Sequence, residues 1–137
     1  VLYFEGSALA NDVTNRVISI TNGSSSERVS LFYGNESSNE IKGVIVAGGA
    51  LYANLSFTGN DITVSSKIAV KYKQNDFQLW VNGIKAVFDT SGNTPTGLNK
   101  LSFDVGQGSA PFCGNTKDLR VYSTALTDSE LQALTTL

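Results

Sequence analysis

Hydrophobic and polar residues alternate along most of the chain in short segments with a period of two. The segments are separated by clusters of Asn, Gly, Ser and Asp, such as TNGSSSER, GNESSNE, AGGA and TGND. This period is typical of β-strands, because successive side chains of a strand point to opposite faces. The pattern predicts strands at Val1–Glu5, Arg16–Thr21, Arg28–Tyr33, Glu40–Ala47, Leu51–Phe57, Lys67–Lys73, Phe77–Asn82, Ile84–Asp89, Lys100–Val105 and Lys117–Tyr122.

The stretch from Ile68 to Phe88 has the pattern of a meander. Asn82-Gly83, between QLWV and IKAV, favours a two-residue hairpin turn because both turn residues adopt φ > 0. A second tight turn is predicted in KQND. The side chains expected to face the core are Ile68, Val70, Tyr72, Phe77, Leu79, Val81, Ile84, Ala86 and Phe88. Those expected on the opposite, polar face are Lys71, Lys73, Gln78, Trp80, Lys85 and Val87.

One short helix is predicted near the C-terminus. The segment TDSE, which begins at Thr127, matches a capping box, in which the Thr hydroxyl and the Glu carboxylate satisfy each other's backbone amides. Leu126, Leu131 and Leu134 form an apolar stripe. We expect this stripe to cover one open end of the sheets.

Composition agrees with a β-sandwich. Charged residues make up only 16% of the chain, against about 25% in a typical soluble domain. Polar turn residues fill the difference. At 137 residues the chain is long enough for one domain with a real core. Together these features predict a single all-β domain over residues 1–137, with two antiparallel sheets.

Several chemical classes are disfavoured by what the chain lacks. It contains no histidine, so the commonest general base and zinc ligand is missing, and with it most hydrolase chemistry. The formal net charge is −2 and no basic run occurs, which disfavours nucleic acid as a partner. No apolar stretch approaches the roughly 18 residues that a membrane-inserted helix needs. Cys113 is the only cysteine and is expected to be a small buried hydrophobe.

The first residues of the sequence allow two interpretations. The opening VLYFEGS is similar to the remnant of a protease-cleaved tag, although Glu5 stands where such a tag carries Gln. A first strand is the preferred interpretation. Because methionine is absent, the chain is expected to be a fragment of a longer protein.

The stretch FCGNTKDLRVYSTALTDSELQAL resembles the closing segment of concanavalin A-like lectin/glucanase domains of the laminin-G-like type. KIAVKYKQNDFQLWVNGIKAVFDT is similar to the central hairpin of that family. The resemblance implies a jelly-roll β-sandwich with a short C-terminal helix. The matching C-terminal residues are Gly114, Asp118, Leu119, Arg120, Val121, Tyr122, Ala125, Leu126, Asp128, Glu130 and Leu131.

Such domains occur as appended modules of phage tail-fibre, virion and bacterial surface proteins. The resemblance therefore implies a non-catalytic module that recognises a cell-surface glycan, located on a virion tail or cell surface. An alternative is a structural module that forms a homo-oligomer through its parent protein and binds no sugar. A hydrolase is not expected, because the Glu-x-Asp-x-x-Glu run of the glucanase branch is absent and the segment from Glu40 to Val46 has one acid.

Trp80 is the first candidate for sugar binding. Exposed on the polar face across from Lys85, with Lys71 and Gln78 beside it, an indole would form a platform for a sugar ring. The alternatives are that a loop or second subunit covers Trp80, or that the face assignment is wrong. Further candidates are Tyr33, Asn35 and Tyr52, although Ser- and Asn-rich turns such as FYGNESSNE also serve as plain connectors.

Calcium is a further expectation from the resemblance, since related domains hold it with loop oxygens. The candidates by position are Asp12, Asn15, Asn115 and Asp118. Their spacing does not match an EF-hand. Asp118 has an equally good structural role as the partner of Arg120 or of a turn amide.

Overall fold

A computed structural model describes residues 1–137, which form ten β-strands and one helix. Every predicted strand is present, and three have the predicted bounds. The elements are β1 (Leu2–Ala8), β2 (Arg16–Thr21), β3 (Arg28–Tyr33), β4 (Ile41–Ala47), β5 (Ala50–Phe57), β6 (Ser66–Lys73), β7 (Asp76–Val81), β8 (Ile84–Asp89), β9 (Lys100–Ser102), β10 (Gly114–Val121) and α1 (Asp128–Thr135).

The strands form two antiparallel sheets of five strands each, and the fold is the predicted jelly-roll β-sandwich with a short C-terminal helix. Sheet A has the order β10-β1-β6-β7-β8, and sheet B has the order β5-β4-β3-β2-β9. Eighteen buried residues make one core between the sheets, seventeen from strands and Ile62 from the loop between β5 and β6. Phe4 and Tyr33 of this core and the partly buried Phe112 pack edge to face, with ring centroids 5.2–5.7 Å apart.

The meander β6-β7-β8 has both predicted turns. At the Asn82-Gly83 turn both residues have positive φ, 50° and 83°. A β-bulge between Leu79 and Trp80 changes the alternation of β8, so that Val87 lies opposite Leu79 and Phe88 lies opposite Gln78. Phe88 is therefore 64% exposed, and its predicted inward orientation is wrong.

A second residue of edge strand β8 also differs from its predicted orientation. Ile84, also expected to face the core, is 66% exposed at the end of the hairpin. Ala86 packs partly against the core as predicted, and Val87, which was expected on the polar face, does so too.

Helix α1 begins at the predicted capping box. Thr127 Oγ1 accepts from the Glu130 amide at 3.3 Å, and the Thr127 amide donates to Glu130 Oε2 at 2.8 Å. The helix was expected to cover an open end of the sheets, and this prediction is wrong. It lies on the outer face of sheet A, where Leu131 is completely buried. No helix in the structure has the length and apolarity that crossing a bilayer requires.

Strand β9 is shorter than predicted, because after Ser102 the chain leaves the sheet and folds over its outer face. Val105 and Ala110 of this loop pack against the outward-facing Val17 and Phe32 of β2 and β3. Cys113 lies at the end of the loop and is exposed, so its predicted burial is wrong.

Candidate functional site

Trp80 is not an open platform. It lies across from Lys85 on the outer face of sheet A, as its position in the alternation predicts. Helix α1 covers the ring, however, and leaves it only 5% exposed among Tyr3, Ala69 and Leu131. The prediction that Trp80 is exposed to a ligand from solvent is therefore wrong. Helix α1, which was expected at an open end of the sheets, packs on this face instead.

The polar residues predicted around Trp80 satisfy one another. Trp80 Nε1 donates to Gln78 Oε1 at 2.7 Å, and Gln78 Nε2 donates to Asp76 Oδ1 at 2.8 Å. Lys71 Nζ lies 2.6 Å from Asp76 Oδ2. Lys85 forms an ion pair with Asp128 of α1 and lies over the Trp80 ring. Lys71 and Gln78 are each 6% exposed, so these two side chains are held by the network and present little surface to a ligand.

The other three aromatic and amide candidates separate in space. Tyr33 is completely buried in the core, where burial raises the pKa of its hydroxyl, and it cannot contact a ligand. Tyr52 lines a cavity of about 260 Å³, and its hydroxyl accepts from Asn93 Nδ2 at 3.1 Å. Asn35 alone lies at the largest concavity of the molecule.

Of the four candidates for calcium, the two carboxylates are each paired with an arginine. Both oxygens of Asp12 accept from the Arg16 guanidinium, at 2.7 and 3.2 Å, and this contact lowers the pKa of Asp12 to about 2. Asp118 pairs with Arg120 at 2.6 Å, which is its predicted structural role. Asn15 is exposed, and Asn115 lies in β10 opposite Ser7. No group of three or more His, Cys, Asp or Glu side chains is placed to hold a metal ion.

The largest concavity, about 490 Å³, lies on the outer face of sheet B, and we call it the sheet B groove. Strands β3, β4 and β5 make its floor. Cross-strand register places the floor residues in three rows, Arg28–Val46–Leu51, Ser30–Val44–Asn54 and Phe32–Lys42–Ser56. The apolar part of the floor consists of Phe32, Val44, Val46 and Leu51.

Two turns border one end of the groove. Ser25 and Ser26 precede β3, and Gly49 lies in the turn between β4 and β5. The Gly49 amide donates to the Ser26 carbonyl at 3.0 Å, which joins the two turns beside Arg28. We call this the near end.

Arg28, at the near end, lacks the partner that arginines normally have. The other two arginines of the chain, Arg16 and Arg120, form ion pairs with Asp12 and Asp118. Arg28 is half-buried, forms no ion pair, and its buried Nε has no hydrogen-bond partner. Burial lowers its pKa, but an arginine stays charged at neutral pH. The groove therefore contains an unneutralised guanidinium.

The far end of the groove has a different arrangement. Lys42 is 2% exposed, and its Nζ lies 3.0 Å from Glu36 Oε1 and 3.3 Å from Glu40 Oε1. Glu40, also 2% exposed, accepts from Ser56 Oγ at 2.6 Å and from the Glu36 amide at 2.7 Å. Burial raises the pKa of Glu40, but these hydrogen bonds and Lys42 outweigh it and lower the pKa overall.

Sequence reasoning missed the groove residues Arg28, Glu36 and Lys42. A signal was present in β3 and β4, whose apolar residues occupy both faces: Leu31 and Phe32 are neighbours, as are Val44, Ile45 and Val46. In an antiparallel sheet, apolar residues on the outer face indicate that a loop, a partner or a ligand covers it. The arrangement itself suits an acidic sugar, because an apolar floor can pack on a ring while a guanidinium pairs with its carboxylate.

No protein-family model matches the chain, and a search of curated proteins likewise gives no significant match. Solved structures do match. The CBM40 of the Ruminococcus gnavus IT-sialidase has a TM-score of 0.76 and 19% identity, over 98% of this chain and 80% of that one. The same module bound to α2,3 sialyllactose has a TM-score of 0.75 and 18% identity, with the same coverage.

The leech intramolecular trans-sialidase in complex with 2,7-anhydro-Neu5Ac also matches, with a TM-score of 0.76 and 18% identity. The likeness covers 98% of this chain but 22% of that enzyme. At such low identities these comparisons establish the jelly-roll sandwich fold. The finer resemblance to laminin-G-like domains stays a prediction.

Proposed function

We propose that this chain is a carbohydrate-binding module that holds an acidic glycan of the sialic acid type in the sheet B groove. Structural neighbours include CBM40 modules bound to α2,3 and α2,6 sialyllactose, which supports this ligand class. The proposed site is on sheet B, not on the face around Trp80 that the sequence suggested.

The observation that carries the proposal is the unpaired Arg28. A half-buried guanidinium without a carboxylate has lost part of its hydration and gained nothing in return. A sugar carboxylate would supply the missing partner, with the planar, two-pronged geometry that suits arginine. Such a charge-assisted contact contributes about 1.5–3 kcal/mol.

The rest of the near end provides complementary contacts. Leu51, which is 59% exposed beside the nearly buried Val46, offers apolar surface to one face of the sugar ring. Ser25, Ser26 and Asn54 offer hydroxyl and amide groups to its hydroxyls and side groups. The carboxylate would thus orient the sugar, and apolar contact would hold its ring against the floor of the groove.

We propose binding without turnover. Glu40, the single acid of the segment from Glu40 to Val46, is enclosed by Lys42 and Ser56, and its neighbour Glu36 is paired with the same lysine, so the two do not form a pair of free carboxylates. The alternative of an assembly module relied on an exposed face around Trp80, which α1 covers. As a setting we propose the one expected from the sequence, a phage tail or surface protein that recognises a cell-surface glycan.

The test is titration calorimetry with α2,3-sialyllactose, with lactose as the neutral control. Wild-type protein should bind sialyllactose and not lactose. Arg28→Ala should weaken binding about tenfold to a hundredfold, as expected for loss of a charge-assisted hydrogen bond. Arg120→Ala is the matched control, because it removes the same charge from sheet A, where Arg120 is exposed.

Two results would contradict the proposal. One is equal affinity for sialyllactose and lactose, which would mean that the carboxylate is not recognised. The other is an equal loss of affinity in the Arg28 and Arg120 variants, which would indicate an effect of net charge and not of the groove.

A further inference from the structure

The two ends of the sheet B groove carry opposite net charge. The near end has the unpaired Arg28, a charge of +1. At the far end Lys42 is shared between Glu36 and Glu40, so that two carboxylates face one ammonium and the sum is −1. Glu40 is enclosed, whereas the Glu36 side chain is 73% exposed and lines the groove. The excess negative charge is therefore available to a ligand through Glu36.

The distance between the ends is longer than one sugar. In the register of β3 and β4, the row of Arg28 and the row of Lys42 are four residues apart along the strand. At about 3.3 Å per residue this is about 13 Å. A sugar whose carboxylate pairs with Arg28 leaves the far end for the next unit of the glycan.

The extent of the groove lining sets the direction in which the glycan continues. The Gly49–Ser26 hydrogen bond joins the turns that border Arg28, and the lining of the groove ends at these turns, so a glycan that follows the groove from Arg28 runs toward the far end. Toward the far end the floor continues through Val44 and Phe32 to Asn35 and Glu36. The second sugar is therefore placed next to the Glu36 carboxylate.

We infer that the sheet B groove selects glycans in which one terminal acidic sugar is followed by a neutral one, and that Glu36 is the residue that rejects a second acidic sugar. This inference rests on the proposed function of Arg28. A neutral sugar can donate its hydroxyls to Glu36 and accept from Asn35, whereas a second carboxylate meets like charge. Chains of consecutive acidic sugars are then poor ligands.

The test compares two probes at about 0.01 M salt, where screening is weak. One is α2,3-sialyllactose, and the other is disialyllactose, in which a second acidic sugar directly follows the terminal one. The affinity of wild-type protein for disialyllactose should be at least about fourfold lower than for sialyllactose. This is the ratio that Coulomb's law gives for like charges about 5 Å apart in water-like surroundings. Glu36→Gln should bring the ratio of the two dissociation constants close to one while keeping a polar contact to Lys42.

The matched control is Asp128→Asn, which removes one negative charge from the outer face of sheet A, where Asp128 pairs with Lys85. It should leave the wild-type ratio unchanged. If wild-type protein binds sialyllactose through Arg28 but Glu36→Gln does not alter the ratio, the inference about Glu36 is wrong and the proposed function stands. If wild-type protein binds neither probe, both are wrong.

Discussion

Trp80 is the only tryptophan of the chain, and it stabilises the outer face of sheet A. Its ring packs with Tyr3, Ala69 and Leu131, and its N–H is bound by Gln78. Removal of the ring would leave a cavity and an unpaired amide oxygen, both of which destabilise the folded state. At the scale of the residue, its role concerns stability on the side opposite the sheet B groove.

We expect Trp80→Ala to lower the free energy of unfolding by about 3–5 kcal/mol, the usual cost of truncating a buried aromatic residue. Affinity for sialyllactose should not change in the folded fraction, because the groove lies on the other sheet. Urea unfolding followed by circular dichroism measures the first effect, and titration calorimetry the second. Phe88→Ala is the control, since Phe88 is 64% exposed and its loss should cost no more than about 0.5 kcal/mol.

The opposite pattern would contradict this account. A Trp80→Ala protein that keeps full stability and loses sialyllactose binding would restore the indole as a ligand platform.

At the scale of the element, α1 has too few residues to be stable alone, so its structure depends on its cap and on docking. Leu131 is completely buried, and Leu126 and Leu134 pack partly against the cluster around Trp80. Lys67 Nζ donates to the Thr136 carbonyl at 2.9 Å at the end of the helix. Weakening the cap should therefore loosen the cover over the indole.

Thr127→Ala is expected to cost about 1 kcal/mol, because the helix loses its cap hydroxyl. The single tryptophan makes the effect visible: acrylamide should quench its fluorescence faster in the variant, with sialyllactose binding unchanged. Ser129→Ala changes an exposed hydroxyl in the same turn and should leave quenching at the wild-type rate. Equal quenching in Thr127→Ala and wild type would mean that docking of α1 does not depend on the cap.

Local patterns determine most elements of this fold. The alternation places β2, β3 and β8 at their observed bounds, and Asn82-Gly83 selects its turn because only such residues adopt its φ angles readily. The bulge opposite Trp80 has no marker in the sequence, and it reverses the orientation of Phe88. Helix α1 docks on the outer face of sheet A, which is assembled from β1, β6 and β7. The pattern of the helix alone cannot predict this position.

At the scale of the whole molecule, the candidate site is harder to predict than the fold. Its floor joins Arg28, Val44 and Asn54 from three strands, and its walls come from turns around Ser26 and Glu36. A loop from after β9 covers the neighbouring part of the same face. The period of two identifies which positions face outward, but only tertiary packing decides which outward positions a loop or helix covers. For this reason the pattern predicts the correct face for Trp80 but does not predict that α1 covers it.

Acid should destabilise the molecule as a whole. The pKa values of six carboxyl groups are lowered in the folded protein: Glu5, Asp12, Glu40, Asp61, Asp128 and Glu130. A carboxyl group whose pKa is lowered by folding stabilises the folded state at pH values above its pKa in the unfolded chain, which is about 4. This contribution is lost as the pH falls through the pKa of the folded state. The melting temperature should therefore fall as the pH decreases from 5 to 2.

Asp12 provides the sharpest single test, because its pKa is lowered to about 2 by Arg16. Asp12→Asn should reduce the melting temperature at pH 5 and make it less dependent on pH between 4 and 2. Differential scanning calorimetry at half-unit steps of pH measures both. An unchanged slope in the variant would show that the Asp12–Arg16 pair does not contribute to acid sensitivity.

Both ends of the described chain lie on the side of sheet A. Val1 belongs to the cluster beneath α1, and Leu137 follows the helix beside Ser66 and Asn82. The sheet B groove opens on the opposite surface of the sandwich. Leu137 is 74% exposed, so a biosensor chip, bead or fluorescent protein coupled through it would hold the molecule from behind and leave its concave side turned toward glycans in the surrounding solution.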